Sequence, residues 1–148
     1  MSIKEYIKQN ETRFIDELST LVSIESISAE RAHAADMVRC AERWVELLTQ
    51  AGMDNARVMS TAGNPVVYAE HIVSPANKTV LIYGHYDVMP VEPIELWDTP
   101  PFTLTMKDGR MYGRGADDDK GQSMMQIKGF ETALRLGLGN VNVKGMLE

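Results

Sequence analysis

The sequence predicts an α/β domain built on a mixed sheet with helices on both of its faces. Three observations predict it. Apolar residues recur at helical spacing near the N-terminus, in the middle of the chain and near its C-terminus. The uninterrupted run Thr79-Val80-Leu81-Ile82-Tyr83 has the length and composition of a buried strand. Helical segments lie before, between and after the strand segments, and a hairpin pattern among them makes the sheet mixed.

Ile3, Ile7, Phe14, Leu18, Leu21 and Val22 share one helical face, so the first two dozen residues form one amphipathic helix, with Ser2 as its N-cap. A second helix runs from about Glu30 to Ala51, placing Met37, Ala41, Trp44 and Leu48 together, and Gly52 stops it. Ala56 to Ser60 and Pro65 to Ile72 are strands separated by the turn composition Ala62-Gly63-Asn64, and Pro75-Ala76-Asn77 breaks the chain before the Val80 strand. Phe102 to Met106 alternates, Lys107-Asp108-Gly109-Arg110 turns, and Met111-Tyr112 resumes as a hairpin. Asp119 to about Leu136 is helical, with Met124, Ile127, Phe130, Ala133 and Leu134 inward, and Val141 to Leu147 is the last strand. With no internal repeat or low-complexity tract, the chain is a single domain.

Composition narrows the function classes. The 148 residues, 44% hydrophobic, suffice for one core of ordinary domain size. With 15 basic and 21 acidic residues, a net charge of -6 and no basic stripe, nucleic acid is excluded as a partner. No stretch resembles a signal peptide or spans a bilayer, so no membrane partner and a cytoplasmic location are expected. Cys40, the single cysteine, falls in a helical pattern beside Ala41 and Trp44 and is expected to be a buried structural thiol. His33 and His71 lack neighbouring ligand residues and are expected to be surface or packing residues.

Two segments carry chemistry: Gly84-His85-Tyr86-Asp87-Val88-Met89-Pro90 and Gly113-Arg114-Gly115-Ala116-Asp117-Asp118-Asp119-Lys120-Gly121. They offer an imidazole and several carboxylates, the ligand types that hold zinc or a similar divalent ion. His85 and Asp87 follow the Val80 strand, at the carboxyl end where open α/β sheets place their chemistry. Two residues apart on extended backbone, their side chains point to one side, so Asp87 is placed to accept the ring N–H that fixes the His85 tautomer. Three consecutive aspartates, 117 to 119, repel one another unless something positive is near, and a divalent cation relieves that. Gly113-Arg114-Gly115 lacks the spacing of a phosphate-binding loop, and Trp97, Pro100, Pro101 and Phe102 form a packing corner.

The two segments, with Trp97-Asp98 and Pro101-Phe102 between them, resemble in order the motifs of the M20 metallopeptidases, the dipeptidase, aminoacylase and desuccinylase group. The resemblance implies a three-layer αβα, zinc-peptidase-like catalytic domain with a mixed sheet. Residues 1–148 would be its N-terminal portion, with the lid or dimerisation domain and the remaining catalytic segment absent. It further implies a divalent-metal hydrolase with two zinc ions, or cobalt or manganese, acting on dipeptides or N-acyl amino acids through metal-activated water. His85 would be a metal ligand, Asp118 the carboxylate bridging two ions, and Asp87 the catalytic residue that orients His85. A cis peptide is expected between Asp118 and Asp119. Asp117 is expected to be solvated or N-capping and Asp119 to begin the following helix, its carboxylate stabilised by the unpaired N–H groups there. Glu148 matches the residue just before the segment that supplies the general base, so the chain alone is expected to be inactive and to bind metal weakly or not at all. Any oligomer would form through regions not present. Gly145 departs from the family pattern, which has an apolar residue in that strand. The alternative is a noncatalytic αβα module with weak or no metal binding.

Overall fold

In the computed structural model, which describes residues 1–148, the chain begins with a capping box. The Ser2 hydroxyl accepts the Glu5 N–H at 3.3 Å, and the Glu5 carboxylate accepts the Ser2 N–H at 2.7 Å. That starts α1 (Ile3–Val22) as expected from Ser2. The second helix is α only from Ala34, because Arg31–His33 forms a short 3-10 turn ahead of α2 (Ala34–Ala51). Gly52, at φ 99°, ends it in the left-handed region that favours glycine. The strands are β1 (Asp54–Met59), β2 (Val66–His71), β3 (Thr79–Gly84), β4 (Thr105–Lys107), β5 (Arg110–Tyr112) and β6 (Asn142–Leu147), with α3 (Lys120–Arg135) before β6.

The main sheet has the order β1-β2-β6-β3. β1 with β2 and β2 with β6 run antiparallel, whereas β3 and β6 are parallel neighbours joined through α3. The sheet is mixed for that reason. The hairpin expected to make it so, β4 and β5 closed by Asp108-Gly109 at positive φ, forms a separate two-stranded sheet.

The expected α/β class with a mixed sheet holds, and within residues 1–148 the three α-helices lie on one face of the sheet rather than on both. Val67, Ala69, Val143 and Leu147 point toward α2 and α3, where Trp44, Leu47, Leu48, Met124 and Ile127 complete the buried core, and α1 packs on the two other helices. Leu81 and Tyr83 point the other way and are 58% and 49% exposed. The β3 run expected to be buried is therefore an exposed edge strand. It pairs only with β6, and its outward residues have no helix over them.

The α1–α3 contact holds a feature that apolar spacing does not predict. Lys128 Nζ lies 2.5 Å from Glu17 Oε2 and 2.8 Å from Glu131 Oε2, all three side chains being buried. Arg13 pairs with both carboxylates, and Tyr6 donates to Glu131 at 2.9 Å. Cys40 is buried as expected, and that burial pushes its thiol pKa up. No helix is long and apolar enough to cross a membrane.

Candidate metal centre

The β3–β6 pairing runs past Gly84, since Glu148 donates its N–H to Gly84 O at 3.1 Å and Tyr86 donates to Glu148 O at 2.8 Å. His85 is thereby held extended at the carboxyl end of the sheet. Gly84 has no side chain because α3 comes too close: a Cβ there would lie 2.0 Å from Ser123 Oγ and 2.6 Å from Asp119 Oδ2. The same Asp119 oxygen accepts the His85 N–H at 3.0 Å and the Ser123 hydroxyl at 2.7 Å. Asp119 does precede α3, but its side chain makes no capping bond to the helix, contrary to expectation. The His85 N–H on the neighbouring strand is the stronger claimant, and the carboxylate ties the aspartate loop to the strand end.

The structure places His85 beside both Asp87 and Asp118. Asp87 Oδ1 lies 2.8 Å from His85 Nδ1, and Asp118 Oδ1 lies 3.2 Å from Nε2. Burial works against a charged His85 ring, but the hydrogen bonds to Asp87 and Asp118 and the nearby charges of Asp87 and Asp119 outweigh it and raise its pKa above the usual histidine value. No Arg or Lys pairs with these carboxylates. The Lys120 ammonium, which follows the aspartates in sequence, is fully buried and donates instead to Leu21 O at 2.9 Å and Ile24 O at 2.7 Å; burial lowers its pKa.

This donor set suits a cation. With Asp87 accepting the hydrogen bond of Nδ1–H, the Nε2 lone pair faces a carboxylate oxygen of Asp118. Two acceptors at 3.2 Å are reconciled by a proton or a metal between them, and two donors of a tetrahedral zinc site stand about 3.4 Å apart. Asp118 is 83% exposed and so open to the same ion. No group of three or more His, Cys, Asp or Glu side chains is arranged to hold a metal ion by itself. Beside them lies an open groove of about 740 Å³, bordered by Asn64, Tyr83, His85, Asp87 and Glu148.

The other expectations fall on either side. The Asp118–Asp119 peptide is cis and Asp117 is exposed, as expected. His33 pairs with Asp36 and His71 packs edge-on against Phe130, so neither is near the site. Trp97 packs its corner, donating to Val91 O under the Arg114 guanidinium. Sequence reasoning missed Ser28, whose hydroxyl donates to Asp87 Oδ2. It also missed Tyr83, which donates to the Glu148 carboxylate beside the groove. Both are serine or tyrosine residues outside the motifs, with nothing local to mark them.

The model of Peptidase family M20/M25/M40 matches residues 81–146, which take in most of β3, both chemical segments and most of β6. The Cys-Gly metallodipeptidase dug1 of Schizosaccharomyces pombe is 37% identical over 147 residues, covering 90% of this chain and 30% of the relative. The Beta-Ala-His dipeptidase of Mus musculus is 35% identical over 157 residues, covering 97% and 32%. Among solved structures, the dipeptidase Dug1p from Saccharomyces cerevisiae superposes with a TM-score of 0.88 at 28% identity, covering 99% of this chain and 33% of that one. The chain thus spans about a third of the length of the relatives it matches. With the motif residues gathered at one strand end and this agreement in sequence and fold, the chain belongs to peptidase family M20/M25/M40.

Proposed function

We propose that this chain carries the first ligand segment of a divalent-metal dipeptidase, with zinc as the ion its donors suit best. The observation that carries the proposal is the convergence of His85 Nε2 and Asp118 Oδ1 at 3.2 Å, with Nδ1 engaged by Asp87. His85 and Asp118 would hold the metal, Asp118 with a second oxygen free for a second ion. Asp87 would keep the His85 ring in the tautomer that presents Nε2. A bound ion supplies Lewis-acid polarisation of a carbonyl and acidifies water. The similarity to Cys-Gly and Beta-Ala-His dipeptidases supports small peptides as substrates, admitted through the groove beside Tyr83 and Glu148. N-acyl amino acids fit the same chemistry. Because two ligands fall short of the three that catalytic zinc sites ordinarily use, the 148-residue chain alone would be noncatalytic.

Hydrolysis of a dipeptide panel including Cys-Gly and β-Ala-His, with zinc, manganese or cobalt, tests this on the complete product of the encoding gene and on the 148-residue chain. Metal-dependent turnover by the complete product that is lost in His85→Ala is expected, with none by the shorter chain. Absence of turnover on every substrate and metal, or turnover indifferent to His85→Ala, overturns it.

A further inference from the structure

The link between α1 and α2 runs alongside the His85 segment and bonds to it at successive positions. Ser26, fully buried, accepts the Val88 N–H on its carbonyl at 2.9 Å and donates its hydroxyl to Tyr86 O at 2.7 Å. Ser28 then donates its hydroxyl to Asp87 Oδ2. The other oxygen of that carboxylate, Oδ1, is the one at His85 Nδ1. The three side chains form a relay, Ser28 to Asp87 to His85, whose far end is Nε2 facing Asp118.

We propose that Ser28 is a positioning residue that fixes the plane of the Asp87 carboxylate and, through it, the His85 tautomer. The terminal torsion of an aspartate is broad, so one hydrogen bond from an imidazole does not define the carboxylate plane. Asp87 is 34% exposed, and water competes for both oxygens. A hydroxyl on Oδ2 supplied from a separate element removes that freedom, leaving Oδ1 aimed at Nδ1. Asp118, 83% exposed and 3.2 Å from Nε2, competes less well for the ring proton than the fixed Asp87 oxygen 2.8 Å from Nδ1, so the ring keeps its proton on Nδ1 and its lone pair on Nε2. Without Ser28, Asp87 turns toward solvent and the neutral ring populates both tautomers, one of which presents no lone pair at Nε2. The consequence for metal binding rests on the proposed role of His85 as a ligand; the consequence for the tautomer does not.

The test reads the His85 ring nitrogens of the metal-free, nitrogen-15-labelled chain by long-range proton–nitrogen correlation, in mildly alkaline solution where the ring is neutral. Wild type and Ser28→Thr are expected to show one tautomer with the proton on Nδ1, and Ser28→Ala a mixture. Ser26→Ala, which loses a bond to backbone only, is the control: it lowers the melting temperature and leaves the tautomer as in wild type. Should Ser28→Ala not fold, Ser28→Cys, with its weaker donor, reads the same quantity. Zinc affinity measured in parallel is expected to fall about 10-fold in Ser28→Ala. A single Nδ1–H tautomer in Ser28→Ala overturns the assignment. A changed tautomer in a chain whose wild type binds no zinc leaves the role of Ser28 standing and overturns the metal reading instead.

Discussion

Gly84 and Gly145 both sit in strands of the main sheet with their missing side chains aimed at helices, and they respond oppositely to a methyl group. At Gly84 a Cβ would collide with Ser123 and with the Asp119 oxygen that holds the His85 N–H. Gly84→Ala should therefore destabilise by about 2–3 kcal/mol in chemical denaturation and shift the His85 amide resonance, because α3 and the aspartate loop must retreat. At Gly145 the nearest atoms to a Cβ are in Met53 and Leu48, at 3.5 Å and 3.8 Å, which is ordinary contact. Gly145→Ala should be neutral or stabilise by up to about 1 kcal/mol in the same measurement, since it restricts the unfolded chain and fills space against α2. The glycine that departs from the family pattern is the one the structure can spare.

The α1–α3 junction gives the molecule an acid-sensitive element. Burial works against the Glu131 carboxylate, but hydrogen bonds from Arg13, Lys128 and Tyr6 outweigh it and hold its carboxyl below the usual glutamate value. A depressed carboxylate stabilises the folded state fully above its unfolded pKa, and that contribution is lost as pH falls through the folded value. Stability should therefore be level around neutrality and decline below about pH 4.5. Glu131→Gln should cost about 3 kcal/mol near neutral pH, because it leaves Lys128 and Arg13 sharing the single carboxylate of Glu17, and the difference from wild type should shrink on acidification. Urea denaturation of both proteins across that range checks it; a constant difference would show that Glu131 contributes packing alone.

For the molecule as a whole, what the sequence disclosed follows from how local each signal is. The proximity of His85, Asp87 and Asp118 was legible because each sits in a short motif, and α1 and α2 were legible because a buried stripe imposes its own period. Ser28 was not, since its partner lies 59 positions away and a serine in a link carries no mark of what it touches. Lys128 and Glu131 were hidden inside a helix read for its apolar residues. β3 misled for a different reason: Leu81 and Tyr83 are apolar on the face away from the helices, so a half-covered edge strand reads as a buried one. Their exposure and the pairing of β3 with β6 alone leave the site at one open rim of the sheet. The site's central claim is that His85 and Asp118 together present two donors to one divalent ion while Asp87 holds the ring. Calorimetric titration of zinc into the wild-type chain, His85→Ala, Asp118→Ala and Asp87→Ala tests it most directly. Weak binding that disappears in the first two variants and falls about 10-fold or more in Asp87→Ala is the predicted result. Nanomolar binding of two ions per chain, or binding that survives His85→Ala and Asp118→Ala, would contradict it.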